Sequence, residues 1–298
     1  MEIAVSGGSG FISSALIPAL AEAGHGVVRL VRSQPPSASG DIYWDPDKSI
    51  IDAAKLEGKQ AAVHLAGETI AERWTEKKKS RIRASRIAGT RLLSEALAKL
   101  ASPPQVLVSA SAIGYYGDRG EEILREESAP GEGFLAEVCR DWEAATEAAS
   151  RARIRVVHLR IGMVLSPRGG ALAKMLPPFR TGGGGRLGSG RQYMSWIALD
   201  DLVGAILHLI QNPSIRGPVN ITAPNPVTNL VFTKTLGKVL SRPTIAPLPA
   251  FAVRLIFGQM GQELLLGSSR VVPARLRATG FRFRYPDLEP ALRHLLGR

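Results

Sequence analysis

The sequence predicts an α/β fold: a doubly wound parallel sheet of Rossmann type with a small C-terminal substrate lobe. Three observations carry this expectation. A short apolar run at Ile3, Ala4 and Val5 leads into "SGGSGFISS", after which Phe11, Leu16 and Leu20 recur near a period of 3.6, so glycines separate a strand from a helix. A second apolar run, "GVVRLVRS", follows at the spacing of a βαβ unit. Strand-like and helix-like stretches then alternate, an order that yields a right-handed parallel sheet covered on both faces.

Glycines between a strand and a helix can serve a surface turn, because they relieve strain at positive φ. They can also admit a phosphate, since a helix N-terminus offers unpaired N–H groups and the positive end of its dipole. The βαβ context favours the second use. Gly7, Gly8, Ser9, Gly10, Phe11 and Ile12 are therefore expected at a dinucleotide pyrophosphate. The third glycine of the usual fingerprint is replaced by Ser13, small enough to keep the helix close to the strand. At the end of the second strand stands Arg32, followed by Ser33, with no acidic residue before Asp41. A carboxylate there would bind a ribose 2′-hydroxyl, whereas the planar donors of arginine suit a 2′-phosphate. NADP is thus expected rather than NAD, the alternative being that Arg32 is an ordinary exposed cation.

With 298 residues, 45% of them hydrophobic, the chain can bury a substantial core. No apolar stretch approaches membrane-spanning length, and no cationic leader precedes the first strand, so a cytoplasmic protein without a membrane partner is expected. One cysteine, Cys139, excludes an intrachain disulfide, and the five histidines are scattered without metal-ligand spacing. The formal charge of +12 raises the question of nucleic acid. The cations are dispersed, apart from "KKKSRIR" and "RLRATGFRFRYP", and only 6% of residues are aromatic, so an electropositive cleft for phosphorylated ligands is expected instead.

Beyond the second strand, "DIYWDPDKSIIDAAKLEG" reads as a turn-rich excursion. The strand "AAVHLAG" and a long helix over roughly 75–100 follow; "PQVLVSAS" is a strand, "LAEVCRDWEAATEAAS" a helix, and "IRVVHLRIGMVL" a strand running into a loop. Ligands in such sheets bind beyond the strand C-termini, where Gly7 to Gly10, Arg32, Leu65 to Glu68, Ser109 to Ser111 and Arg160 to Gly162 all fall. Gly67, Ser109, Arg160 and Gly162 accordingly join the expected cofactor contacts. The expected division is a cofactor core over 1–165 and a remainder over 166–298 that completes the core and builds the substrate lobe, its helical part starting near 226. The Gly-, Pro- and Arg-rich stretch after Leu165 carries Met175, Leu176, Phe179, Tyr193 and Trp196, anchors that a solvated linker lacks.

Taken in order, "SGGSGFIS", "YWDP", "VHLAGE", "SASAIGYYGD", "RIGMVLSPRGGAL", "GSGRQYMSWIALDDL", "GPVNITAP" and "VVPARLRATGFRFRYPDL" resemble the extended short-chain dehydrogenase/reductase superfamily, specifically its epimerase-like branch of the YfcH type. The resemblance runs nearly end to end. It implies a Rossmann core with a small C-terminal lobe, and Arg32, Leu65, Ala66 and Arg86 facing the cofactor. Active members of the superfamily use Ser, Tyr and Lys: a phenol exchanges a proton with the reacting oxygen, an ammonium lowers the phenol's pKa, and a serine polarises the same oxygen. Ser111 fits the serine. Aligning Glu143 with the glutamate that often follows the Tyr-x-x-x-Lys motif puts Leu135 in place of Tyr and Cys139 in place of Lys. Either proton transfer has moved, with Ser111, Tyr115 and Tyr116 as its candidate residues and Lys174 or Arg191 as a cation from the lobe, or the usual reaction is absent. Packing or a contact to substrate phosphate are the plainer roles for the two tyrosines, and Cys139 reads as a small buried hydrophobe.

Two functions follow. One is an NADP-dependent epimerase or oxidoreductase acting by hydride transfer on a small phosphorylated or nucleotide-linked substrate. The other is an NADPH-binding sensor or regulator without the Tyr-x-x-x-Lys pair. The expected assembly is a monomer or a homodimer.

Overall fold

The computed structural model describes residues 1–33 and 40–298. Strand β1 (Glu2–Ser6) buries Ile3 and Val5 completely and leads through the glycine loop into helix α1 (Ser13–Glu22), followed by β2 (Gly26–Val31). The excursion expected to be turns contains two strands, β3 (Ile42–Asp45) and the two-residue β4 (Ile50–Ile51). β3 is held because Ile42 and Trp44 drop into the core under β2, a two-residue alternation too short to read reliably from sequence. Next come β5 (Ala61–His64), α2 (Glu76–Ala98), β6 (Val106–Ala112), β7 (Ile123–Leu124), α3 (Phe134–Ala144) and α4 (Glu147–Arg151). Helix α2 starts where the Thr75 side chain accepts from the Lys78 amide at 3.2 Å. The single helix expected over 135–150 is broken between α3 and α4, where the Thr146 hydroxyl donates back to the Glu143 carbonyl at 2.8 Å.

The run "IRVVHLRIGMVL" divides into β8 (Arg155–Ile161) and β9 (Met163–Ser166). Gly162 makes the division: a Cβ there would lie 2.7 Å from the Ser195 carbonyl oxygen and 2.8 Å from the Thr222 methyl group. The chain can therefore leave the sheet at this point only as glycine. The remaining elements are α5 (Gly170–Arg180), β10 (Tyr193–Met194), β11 (Trp196–Ala198), α6 (Leu199–Gln211), β12 (Gly217–Ile221), β13 (Val227–Thr228), α7 (Asn229–Leu240), α8 (Ala250–Met260), β14 (Arg270–Val271), α9 (Ala274–Ala278) and α10 (Leu288–Leu296), with a π-helical turn at Gly261–Leu266 after α8.

The eight-stranded sheet has the order β12-β8-β6-β5-β1-β2-β3-β4, parallel except for the antiparallel edge strand β4. The fold is thus the doubly wound α/β class that the sequence predicts. Its strand order reverses between β1 and β5, and both strands end beside the glycine loop; this is where sheets of this class bind ligands. One core packs α1 and α6 against the sheet, and the other packs α2 on the opposite face. A separate core, built on Trp196, Phe232 and Phe179, joins α5, α7 and α10. Among the described residues no helix is long and apolar enough to cross a membrane.

At the ends of β1 and β5, the Ser6 hydroxyl and His64 Nδ1 lie 2.5 Å apart in a fully buried pair. Burial holds the His64 imidazole down at about 4, against 6.5 for an ordinary histidine. The unfolded chain takes up this proton as pH falls through 6.5 while the folded chain resists, so the stability due to neutral His64 is complete above that value and is lost toward pH 4. The amount at stake is about 3 kcal/mol. In urea denaturation between pH 7 and pH 4, His64→Leu is expected to show a shallower loss of stability than the wild type; equal slopes would contradict the assignment.

Candidate functional site

The glycine loop is shaped by contact with the neighbouring strand end. Gly7 has φ +72°, and a Cβ on it would lie 2.8 Å from the Ala66 amide nitrogen and 2.9 Å from the Leu65 carbonyl carbon. Only glycine allows both the conformation and the approach. The Gly10 amide donates to the Gly7 carbonyl at 2.8 Å, which closes the turn, and no side chain caps α1. Among the described residues the amides of Phe11, Ile12 and Ser13 at the entry to α1 make no hydrogen bond and are left for an anion, whereas those of Ser14, Ala15 and Leu16 already donate to the Gly10 and Ile12 carbonyls. The loop's far side is braced by a second glycine pair: Cβ atoms on Gly169 or Gly170 would lie 2.6 Å and 3.3 Å from the Phe11 ring. Phe11, expected at the cofactor, is thus packed against the start of α5.

Leu65, Ala66 and Gly67 run past the loop, and Arg86 reaches them from α2, its guanidinium carbon 3.5 Å from where a Gly67 Cβ would be. Arg86 donates to the Ile82 carbonyl at 3.1 Å and lies 5.0 Å from the Trp142 ring. Burial lowers its pKa, and among the described residues it forms no salt bridge. A desolvated cation without an anion beside an open helix N-terminus is the electrostatic complement of a phosphate. The neighbouring Glu68 is already engaged, by Lys78 at 2.8 Å and Arg81 at 2.9 Å, which also neutralises the inward face of the basic run. Arg32 is exposed just beyond β2, its nearest carboxylate being Asp47 at 3.7 Å. Arg29, which the sequence reading passed over, lies under Gly8 and forms a two-point ion pair with buried Asp41 at 3.1 and 2.7 Å.

Arg160 is engaged within the fold through all of its nitrogens. Its Nε and Nη2 donate to the two Glu143 oxygens at 2.8 and 2.9 Å, and its Nη1 donates to the Tyr116 hydroxyl at 3.0 Å and the Glu126 carbonyl at 3.1 Å. Burial opposes its charge, but Glu143 outweighs burial and raises its pKa. Ser109 is likewise enclosed, fully buried three residues short of the β6 end. The same network holds two of the three expected catalytic groups. Ser111 donates to Glu143 at 2.7 Å, and Tyr116 donates to Asn220 at 2.7 Å while accepting from Arg160. Tyr116 is fully buried, and desolvation pushes its phenol up to about 12. Tyr115 differs: Arg160 lies 3.5 Å from its ring centroid, and among the described residues its hydroxyl makes no hydrogen bond.

Leu135 and Cys139 meet at the expected relay position. A Cβ on Gly114 would lie 3.1 Å from Leu135 Cβ and 3.8 Å from Cys139 Sγ, so both side chains line the wall beside the end of β6. Burial pushes the Cys139 thiol up to about 12, which leaves it neither a thiolate nor a cation. Of the two lobe cations, Lys174 donates to the Ala71 carbonyl at 2.8 Å and Arg191 is exposed. Glu143, Glu126 and Asn220 were missed as a group, because the two glutamates stand among other charged residues in "ILREES" and "RDWEAA", and only Asn220 interrupts an apolar stretch.

An open α1 N-terminus, a glycine loop at the strand-order switch and a desolvated arginine define a dinucleotide-binding α/β protein. A family model for the NAD-dependent epimerase/dehydratase family matches residues 3–222, and a domain of unknown function, DUF1731, matches residues 248–295. The chain is 45% identical over 291 residues to an epimerase family protein of Mycobacterium bovis, covering 97% of this chain and 96% of that one. It is 36% identical over 300 residues to the human epimerase family protein SDR39U1, covering 99% and 100%. The chain belongs to the NAD-dependent epimerase/dehydratase family. A crystal structure of human SDR39U1 isoform 2 with NADPH superimposes with a TM-score of 0.91 at 35% identity, covering 100% of this chain and 99% of that one. MoeE5 in complex with UDP-glucose and NAD has a TM-score of 0.77 at 21% identity over 100% of this chain and 98% of that one, a likeness of fold alone.

Because Arg160 is 3% exposed, removing Glu143 would leave a buried cation unpaired. Glu143→Ala is expected to cost about 3–5 kcal/mol in urea denaturation, against about 1 kcal/mol for Ser111→Ala, which loses one hydrogen bond. Equal, small losses for the two variants would remove Glu143 from the centre of the network.

Proposed function

We propose that this chain binds NADP(H) across the β1/β5 switch and acts as a cofactor-binding member of its family that lacks the Tyr-x-x-x-Lys proton relay. Gly7, Gly8, Ser9, Gly10 and the unbonded amides of Phe11, Ile12 and Ser13 hold the pyrophosphate. Arg32 takes the 2′-phosphate, Leu65, Ala66, Gly67 and Arg86 flank the nucleotide, and Gly162 admits the chain close to its nicotinamide end. The bound nicotinamide would offer a hydride donor or acceptor. The NADPH in the related human structure supports the choice of cofactor. One observation carries the rest: Leu135 and Cys139 form the wall beside Gly114 where a phenol and an ammonium are needed. With Ser111 held by Glu143 and Tyr116 by Asn220, the polar groups at the strand ends stabilise the fold and leave the cofactor without an acid–base partner. The chain then serves as a sensor or regulator that responds to NADPH.

A second reading rests on Tyr115. Its hydroxyl is without a hydrogen-bond partner among the described residues, and its ring covers the Arg160 guanidinium. In that reading Tyr115 exchanges the proton and the chain is an epimerase or oxidoreductase on a nucleotide-linked substrate.

Titration of wild type and Arg32→Ala with NADPH and NADH tests the cofactor assignment. The expected result is a loss of roughly tenfold to a hundredfold for NADPH alone, the value of one charge-assisted phosphate contact. Equal loss for both cofactors would show that Arg32 does not read the 2′-phosphate. Single-turnover measurement of bound NADPH against sugar nucleotides is expected to show no oxidation; a rate that vanishes in Tyr115→Phe would establish the second reading instead.

A further inference from the structure

Helix α8 turns one face inward: Val253 and Met260 are buried, and Phe257 packs with Trp74, Ile82 and Val138. Its outer face should then be polar, as on other surface helices. It is not. Phe251 is 71% exposed, Leu255 73% and Ile256 50%, and Ile245 at 82% and Leu264 at 36% flank them in sequence. Phe251 and Leu255 stand one helical turn apart, so their side chains share one face. Single exposed apolar residues are ordinary, whereas several within twenty residues form a surface that awaits a partner.

Among the described residues the arginines around this face have no carboxylate partner, whereas the nearby carboxylates of Glu72 and Glu76 are taken up by Lys78 and Lys79. Arg254 projects from the same helix and donates to the neutral Gln262 side chain at 2.7 Å. Arg73 donates to the Leu255 carbonyl at 3.5 Å, and Arg186 donates to the Gly188 and Ser189 carbonyls at 3.3 and 2.9 Å, beside the bridge from Leu187 to Leu248. None of the three arginines forms a salt bridge among the described residues. The one carboxylate of the segment, Glu263, faces inward and accepts the Phe134 and Leu135 amides at 3.3 and 3.1 Å. A partner must therefore present negative charge around an apolar interior. A second copy of this chain would bring the same arginines and a net charge of +12, and would be repelled.

We propose that the outer face of α8 docks on an anionic lipid surface. Phe251, Leu255 and Ile256 enter the boundary between headgroups and acyl chains, and Arg73, Arg186 and Arg254 meet the acidic headgroups. The helix lies in the plane of the surface, since its inner side stays fastened to the core, so the attachment is peripheral and needs no spanning helix. The sequence expectation of no membrane partner rested on the lack of a spanning stretch, which says nothing about a face that only the fold leaves uncovered.

Flotation of the full chain with vesicles tests this. The probes are vesicles of phosphatidylcholine alone and of phosphatidylcholine mixed with phosphatidylglycerol, at low and high salt. Wild type is expected to float with the acidic vesicles only and to be released by salt. The double variant Phe251→Ser/Leu255→Ser, and separately Arg254→Glu, are expected to bind about tenfold more weakly or worse while melting at the wild-type temperature. Wild type that ignores acidic vesicles overturns the proposal, whether sedimentation then shows self-association through this face or an acidic protein proves to cover it. Equal flotation of wild type and both variants overturns it as well.

Discussion

The buried ion pair between Glu143 and Arg160 is the interaction on which the strand-end architecture depends. Taking both charges out of water costs several kcal/mol, and only near-complete hydrogen bonding recovers it. Arg160 reaches that state through Glu143, the Tyr116 hydroxyl and the Glu126 carbonyl, and Glu143 through Arg160 and Ser111. The pair thereby ties α3 to β8, β6 and the turn after β6. Asn220 extends it to the sheet's edge strand β12, since it accepts from Tyr116 and donates to the Val272 carbonyl at 3.0 Å. The same bonds fix Ser111 and Tyr116. A serine and a phenol locked into a network that needs them are poorly placed to exchange protons with a substrate.

The cofactor side follows different rules. Its pyrophosphate end rests on backbone: the Gly7 approach to Ala66, the unbonded amides of Phe11, Ile12 and Ser13 and the glycine pair behind Phe11. Such a site survives the loss of side chains elsewhere, because the pyrophosphate reads amides and space. Proton transfer has no such tolerance, since one phenol and one ammonium must stand in register on α3. In the proposed reading Leu135 and Cys139 fill those two positions, leucine with no proton to exchange and the buried thiol pushed up to about 12, and both line the wall beside Gly114. In that reading the one site is retained and the other lost, as this difference in tolerance predicts.

Local signals made much of this legible in the sequence. The glycine loop sits between an apolar strand and a helix of clear period, and Thr75 announces the start of α2, so both were readable without tertiary information. Positions near the strand ends were also readable, but not the partners of the side chains there. Arg160 and Ser109 fall on the right strands, yet pairing with Glu143 and enclosure in the sheet decide what each can touch, and these contacts span 17 residues or more in the case of Arg160. β3 and the break at Gly162 depended on tertiary contact in the same way, through Trp44 in the core and the crowding of Gly162 by Ser195 and Thr222. The α8 face is the extreme case, because hydrophobic residues at helical spacing ordinarily mark a core, and only the packing of its opposite side shows which of them are left outside.

The account stands on one claim: the strand-end polar groups are held by the fold and do not serve the cofactor. A crystal structure of the chain with NADPH bound tests it most directly, through the distances from nicotinamide C4 to the surrounding titratable atoms. The account predicts that Glu143 keeps its bonds to Ser111 and Arg160 and that the ring faces the Leu135 and Cys139 wall, with no acid or base within hydrogen-bond reach of a substrate oxygen placed at C4. Ser111 released from Glu143 and turned toward C4 beside a phenol would contradict it.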